Sequence, residues 1–429
     1  MGKTRYVQGL VVGQAISSAS TQFHPVGNGP FNASATSTVE ASYQVIHRTA
    51  GTFSNLSIRV KTNTYATTLA FQLRKNAVNG NSVATISVGG TGVFEDTTHT
   101  DTIVAGDKMT YQLPTNSAAK SITVTVMAVT FDATSTTAVR CIDSTFGVST
   151  GSMNTNRYNP IIGDLSTANT TEANAKTRIR VSGTFKNLCI RLSANSITAT
   201  CKSRLNGANG AMTITSSAAA GWYEDTTNTD TVAAGDDFNS TYVMSATTST
   251  TIQHIAMDFV DATNSYGVHC NGWPELTTQA ISITNYFAAS GDGSPTTTEA
   301  DAKCLAKDAY TCKELTINVT TNTVSASSTV KLRKSGVNGN QVATITASTV
   351  GIFSDSTNTD SVAATDDMTI QLVTGGTGTS LIWSFIDMFY TTVTTKNVTK
   401  TLTETIAITD SATRLAAKTR LSGAFPTYL

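Results

Sequence analysis

Short runs in which every second residue is apolar recur along this chain, divided by clusters of Thr, Ser, Asn and Asp. Phe53-Ser54-Asn55-Leu56-Ser57-Ile58-Arg59-Val60 ends on Leu56, Ile58 and Val60. A period of two lays one face of a strand against a core. Phe185–Leu192 and Cys312–Val319 repeat the run. Phe71-Gln72-Leu73-Arg74-Lys75 leads into Val78-Asn79-Gly80-Asn81, after which Ala84, Ile86 and Val88 alternate again. Because Asn-Gly accepts the positive φ of a tight turn, the pattern predicts a hairpin reversing at Asn79-Gly80, with counterparts at Asn209-Gly210 and Asn338-Gly339. A last strand alternates through Ile122, Val124 and Val126, with Leu381, Trp383 and Phe385 as rough counterparts. There is no helical stripe. Seven or eight short strands with turn signals about every ten residues predict an all-β antiparallel sandwich, and the long polar connections favour jelly-roll wiring.

One polar phrase occurs three times, as Glu95-Asp96-Thr97-Thr98-His99-Thr100-Asp101-Thr102, Glu224–Thr231 and Ser354–Ser361. Its first aspartates, Asp96, Asp225 and Asp355, stand 129 and 130 residues apart. That interval is a whole small domain, too long for a solenoid repeat. Each copy also carries a glutamate–alanine step (Glu40-Ala41, Glu172-Ala173, Glu299-Ala300) and a closing Asp107, Asp236 or Asp366. The expected organisation is three tandem sandwiches at 1–140, 141–270 and 271–391, followed by an extended arm at 392–429. Similar junctions near 140 and 270 predict a semi-rigid rod of modules. Trp273 is expected to wedge two of them, and Arg414, Lys418 and Arg420 to carry contacts of the arm with neighbours.

Composition narrows the chemistry. Charged residues are 14% of 429 and balance to zero, so bulk electrostatics steers toward neither nucleic acid nor an anionic membrane. The start has too short an apolar run for a signal peptide, and no stretch has the length of a membrane helix; the expectation is a protein made in a cytoplasm and kept soluble. Six cysteines form no CxxC pair and read as small buried hydrophobes, with a Cys304–Cys312 bridge left open.

The series Leu-Arg-Lys-Asn, Val-Asn-Gly-Asn, Gly-Val-Phe-Glu-Asp-Thr-Thr-His-Thr-Asp-Thr and Val-Ala-Gly-Asp resembles a jelly-roll module of structural proteins of tailed bacteriophages, over about residues 40 to 390. Copy two departs from it, with Arg204-Leu205 where the others have Arg-Lys. The resemblance implies a non-enzymatic virion component, exposed on capsid or tail as a decoration, fibre or baseplate part. Its partners would be itself and other virion proteins, with no nucleic acid and no membrane. The alternative is an adhesive, receptor-binding fibre that grips host surface glycans.

Candidate chemistry is sparse. No cofactor is expected. Asp96, Asp101, Asp225 and Asp230 are the residues a calcium ion would choose, but their spacing fits no calcium loop and turn formation accounts for them better. Paired carboxylates also serve glycosidases, yet a phrase copied three times does not read as one active site. His99 is replaced by Asn228 and Asn358 in the other copies, as a turn residue is and a general base is not. Arg74-Lys75 and Arg333-Lys334 read as solvated or edge-protecting pairs, with an acidic partner as the other possibility. Trp222 reads as a core or interface residue in preference to a sugar platform.

Overall fold

The computed structural model describes residues 3–18, 20–30, 38–113, 117–134, 139–144, 157–164, 170–194, 198–244, 251–263, 266–291 and 295–392. The arm, with Arg414, Lys418 and Arg420, lies outside them. So does the side chain of Trp273, whose backbone belongs to a strand.

In the first module the principal strands are β1 (Lys3–Ser18), β2 (Gln22–Pro25), β3 (Gly51–Asn63), β4 (Leu69–Lys75), β5 (Val78–Ile86), β6 (Gly92–Asp96, continued on the same neighbour by Asp101–Ile103), β7 (Lys108–Leu113) and β8 (Ser117–Ala133). The second module repeats them as β9 (Val139–Ser144), β10 (Arg157–Asn159), β11 (Gly183–Ala194), β12 (Ala199–Leu205), β13 (Ala208–Ser216), β14 (Gly221–Val232), β15 (Asp237–Met244) and β16 (Thr251–Asp261). The third runs β17 (Tyr266–Gln279), β18 (Thr284–Phe287), β19 (Tyr310–Asn322), β20 (Ser328–Lys334), β21 (Val337–Ile345), β22 (Gly351–Val362), β23 (Asp367–Val373) and β24 (Leu381–Thr392).

Each module is one long antiparallel ribbon, doubled back and rolled. In the first, β4 pairs with β5, β3 with β6, β2 with β7 and β1 with β8. Rolling the ribbon joins β8 to β3 and β7 to β4, so the two sheets read 1-8-3-6 and 2-7-4-5. The other two modules have the same order, which is jelly-roll wiring. Phe71 meets Tyr111 at 5.2 Å between centroids, Phe185 stacks on Phe238 at 4.0 Å, and Phe287 meets Trp383 edge-on at 5.3 Å.

The boundaries expected at 140/141 and 270/271 fall inside strands. Val139–Ser144 already pairs with β16, and Tyr266–Gln279 with β24, so each new module begins a few residues earlier. The hairpin also differs from expectation. Lys75 pairs with Val78, and the reversal is Asn76-Ala77, with φ of 51° and 64°. Its counterparts are Asn206-Gly207 and Ser335-Gly336, also at positive φ. Asn79-Gly80 is therefore inside β5. Gly80 is needed there for space, since a Cβ would stand 2.6 Å from the Asp101 carboxylate.

The expected rod is not formed; residues 1–395 make one compact unit. Asn28 carries the reason at its centre. Its Oδ1 accepts from Val7 N of β1 at 2.9 Å, its N–H donates to Arg140 O of β9 at 3.0 Å, and its Nδ2 donates to Val268 O of β17 at 3.0 Å. One side chain and its backbone thus join the first strands of all three modules. The last strands show the same closure. Residues 124–131 of β8, 252–259 of β16 and 383–390 of β24 are buried without alternation. A sandwich alone buries one face of such a strand; here the outer face meets another module, which the one-sided reading of Ile122, Val124 and Val126 had missed.

Two outcomes follow. Scattering from a chain ended at residue 395 is expected to give a radius of gyration near ~21 Å, the value for one packed body of that length; a clearly larger value with rod-like low-angle decay would contradict ring closure. Ala77→Gly is expected to raise the melting temperature, by relieving a left-handed alanine, while Gly80→Ala lowers it. The reverse order of melting would restore the reversal to Asn79-Gly80.

Candidate functional site

The repeated phrase is a set of acceptors for backbone N–H groups. Asp96 Oδ2 accepts from Val83 N at 2.8 Å, and its Oδ1 from Thr98 N at 3.0 Å and His99 N at 3.1 Å. Asp225 and Asp355 receive the same bonds from Thr213, Thr227 and Asn228, and from Val342, Thr357 and Asn358. His99 Nδ1 reaches Asp96 Oδ2 at 2.9 Å, where Asn228 Nδ2 and Asn358 Nδ2 bond Asp225 and Asp355. Histidine and asparagine fill one place because one ring nitrogen or one amide suffices for it. Asp101 accepts from Asn81 N and Ser82 N at 2.6 and 3.0 Å, and Asp230 from Ala211 N at 2.6 Å. The strand 5 backbone is stapled in this way to the strand 6 loop.

Burial alone would push the Asp96 carboxyl up, but the bonds from Val83, His99 and Thr98 outweigh it and hold its pKa well below the usual carboxylate range. Asp225 and Asp355 are lowered by the same balance. The four aspartates considered for calcium thus have their oxygens turned to N–H groups. Among the described residues no group of three or more His, Cys, Asp or Glu is gathered in a way that holds a metal ion.

The glutamate–alanine step binds the arginine of β4. Arg74 Nε and Nη2 meet Glu40 Oε1 and Oε2 at 2.8 and 2.9 Å; Arg204–Glu172 and Arg333–Glu299 repeat the fork. Such bidentate pairs fix both partners. Each guanidinium also lies over a ring, Phe23, Tyr158 or Tyr286, 5.7–5.8 Å from its centroid. These arginines serve the module internally, which corrects the solvated-pair reading. Loss of the adjacent lysine at Leu205 leaves the Arg204 fork intact.

Between modules one pattern goes round the ring. Arg48 of module one binds Glu224 of module two, its Nε 3.0 Å from Oε1. Lys307, in the equivalent place of module three, binds Glu95 of module one at 2.7 Å. In module three Ser354 stands where Glu95 and Glu224 stand, and Arg180, the equivalent of module two, turns its Nε to Thr316 Oγ1 at 3.2 Å. The return contacts also cycle: Arg191 to Ala41 O at 3.1 Å, Asn318 to Ala173 O at 3.5 Å, Arg59 to Lys303 O at 2.9 Å. Trp222 is half-buried in the first seam, with Lys108 and Arg191 5.8 and 5.5 Å from its centroid and His254 at 4.8 Å. Its indole is a cation–π partner inside the molecule.

The described cysteines and the histidines His24, His47 and His254 are buried. Cys304 and Cys312 are free thiols, which removes the bridge left open from spacing, and burial raises the Cys304 pKa to about 11. Burial lowers His24 and His47 to about 3. No helix among the described residues is long and apolar enough to cross a membrane. The chain matches no protein-family profile, and no curated protein matches it.

Asp96→Ala is expected to cost about 1–3 kcal/mol, because it takes the acceptor from the part-buried N–H groups of Val83, Thr98 and His99. An aspartate whose folded pKa is depressed stabilises fully above its unfolded value and loses that effect as pH falls through the folded one. In denaturant titrations the deficit of the variant should therefore be complete above about pH 4 and shrink on further acidification. A deficit that grows with acid would contradict the stapling role.

Proposed function

We propose that the protein is a non-enzymatic structural building block of a tailed-phage virion, exposed on capsid or tail and held there by many weak contacts. The observation that carries this reading is the ring: three jelly-rolls of one design joined head to tail, so that three equivalent outer surfaces are presented at once. Simultaneous use of repeated surfaces multiplies weak affinities without any one strong site. The phrase resemblance supplies the virion context. The carboxylates of the repeat are engaged in turns and the arginines in internal forks, which leaves the repeat a scaffold and supports a role without catalysis.

Gold-labelled antibodies against the chain, applied to tailed particles purified from its source, are expected to decorate the particle surface at fixed positions. Label confined to cell debris would overturn the virion reading. Specific binding of the isolated protein to a glycan array would replace it with the adhesive one.

A further inference from the structure

The three seams are built from the same register positions, and one of them is chemically unlike the others. In the first seam Val45, paired with Met109, packs on Ala256. In the seam of modules three and one, Cys304, paired with Met368, lines a void of about 10 Å³ together with Ala128. The matching residues of the second seam are Thr177, paired with Phe238, and Asp387, paired with Thr316 as Ala128 is with Ser57 and Ala256 with Cys189. A carboxyl group thus replaces a methyl. Both Thr177 and Asp387 are 0% exposed.

Neither oxygen of Asp387 has a hydrogen-bond partner among the described residues, and neither has the hydroxyl of Thr177. Thr316 Oγ1 is beside the carboxyl, but it donates to Glu314 O at 3.0 Å and accepts from Arg180 Nε. The charged groups that face Asp387 are Arg180, from module two, and Glu314, from its own module; the first favours the carboxylate and the second opposes it. Glu314, itself raised by burial, in turn feels Lys313, the same Arg180 and Asp355. A buried ion is tolerated when it is well bonded as well as paired, and the hydroxyl nearest this one, on Thr316, is already engaged with Glu314 and Arg180.

We infer that Asp387 makes the seam between the second and third modules a proton-responsive latch, tightest when the carboxyl is protonated and loosened as it ionises. Burial, the largest influence, moves the Asp387 pKa well above the ordinary aspartate value, ahead of the opposing pull of Arg180. A raised folded pKa means that the contribution to stability is complete below the unfolded value, about 3.9, and lost as pH rises through the folded one. At this register position the other two seams carry alanine, Ala128 and Ala256, so the seam with Asp387 is the one that opens first on the alkaline side.

Hydrogen exchange of the full chain tests this with the other seams as internal controls. At about pH 8, after correction for intrinsic rates, amides of Thr177 and Arg178 should exchange ~10-fold or more faster than those of Val45 and Ile46 or Cys304 and Leu305, and the gap should close at about pH 4.5. Asp387→Ala, which installs the residue of the two equivalent positions, and Asp387→Asn should each raise the melting temperature at about pH 8 by about 2 °C or more, with a smaller gain at about pH 4.5. Equal exchange at all three seams would overturn the latch. So would a lower melting temperature of both variants at the higher pH, which would make the carboxylate a net stabilising partner of Arg180.

Discussion

The constraint on which this architecture depends is the apolar outer face of the 1-8-3-6 sheet. A sandwich needs one buried face per sheet, yet β8, β16 and β24 are buried on both. A module on its own would expose Val126 and Ala128, or Ala256, to water, where they sit in the ring at 4% exposure or less. Burial of such a face is worth roughly 25 cal/mol for each Å² removed from water, so a stranded module would be penalised heavily. The segment around Glu40–Ile46 and its equivalents covers that face on the next module. A head-to-tail contact of this kind continues until it closes, and here it closes after three.

Two kinds of interaction are thereby separated. Those that hold a module together are the same in all copies: the aspartate staples of strand 5, the arginine–glutamate fork and the left-handed residue of strand 3 at Asn55, Asn187 and Glu314. Those that hold modules to one another vary. Glutamate at two seams becomes Ser354 at the third, and alanine becomes Asp387. Copies in one chain need not be interchangeable, so each seam can be tuned by itself. A homotrimer has no such freedom, because one substitution alters all three of its seams.

The proposed structural role follows from the same division. Polar groups that elsewhere form reactive sites are spent here on geometry, holding loops whose backbone donors need acceptors. What remains for the outside is a repeated shape.

Strand period, module count and the turn character of the aspartate phrase were legible in the sequence because each arises from neighbours along the chain or across one hairpin. Alternation at Leu56, Ile58 and Val60 is such a local signal, and so is the exchange of His99 for Asn228 and Asn358. The true reversal at Asn76-Ala77 was masked because Asn79-Gly80 imitates a turn, while its glycine answers to Asp101, far along the chain. Ring closure, the fork between Arg74 and Glu40, and the isolation of Asp387 had no local signal at all. They rest on residues 34 to more than 300 positions apart, brought together only when three sandwiches cover one another, and tertiary packing alone decides what such residues meet.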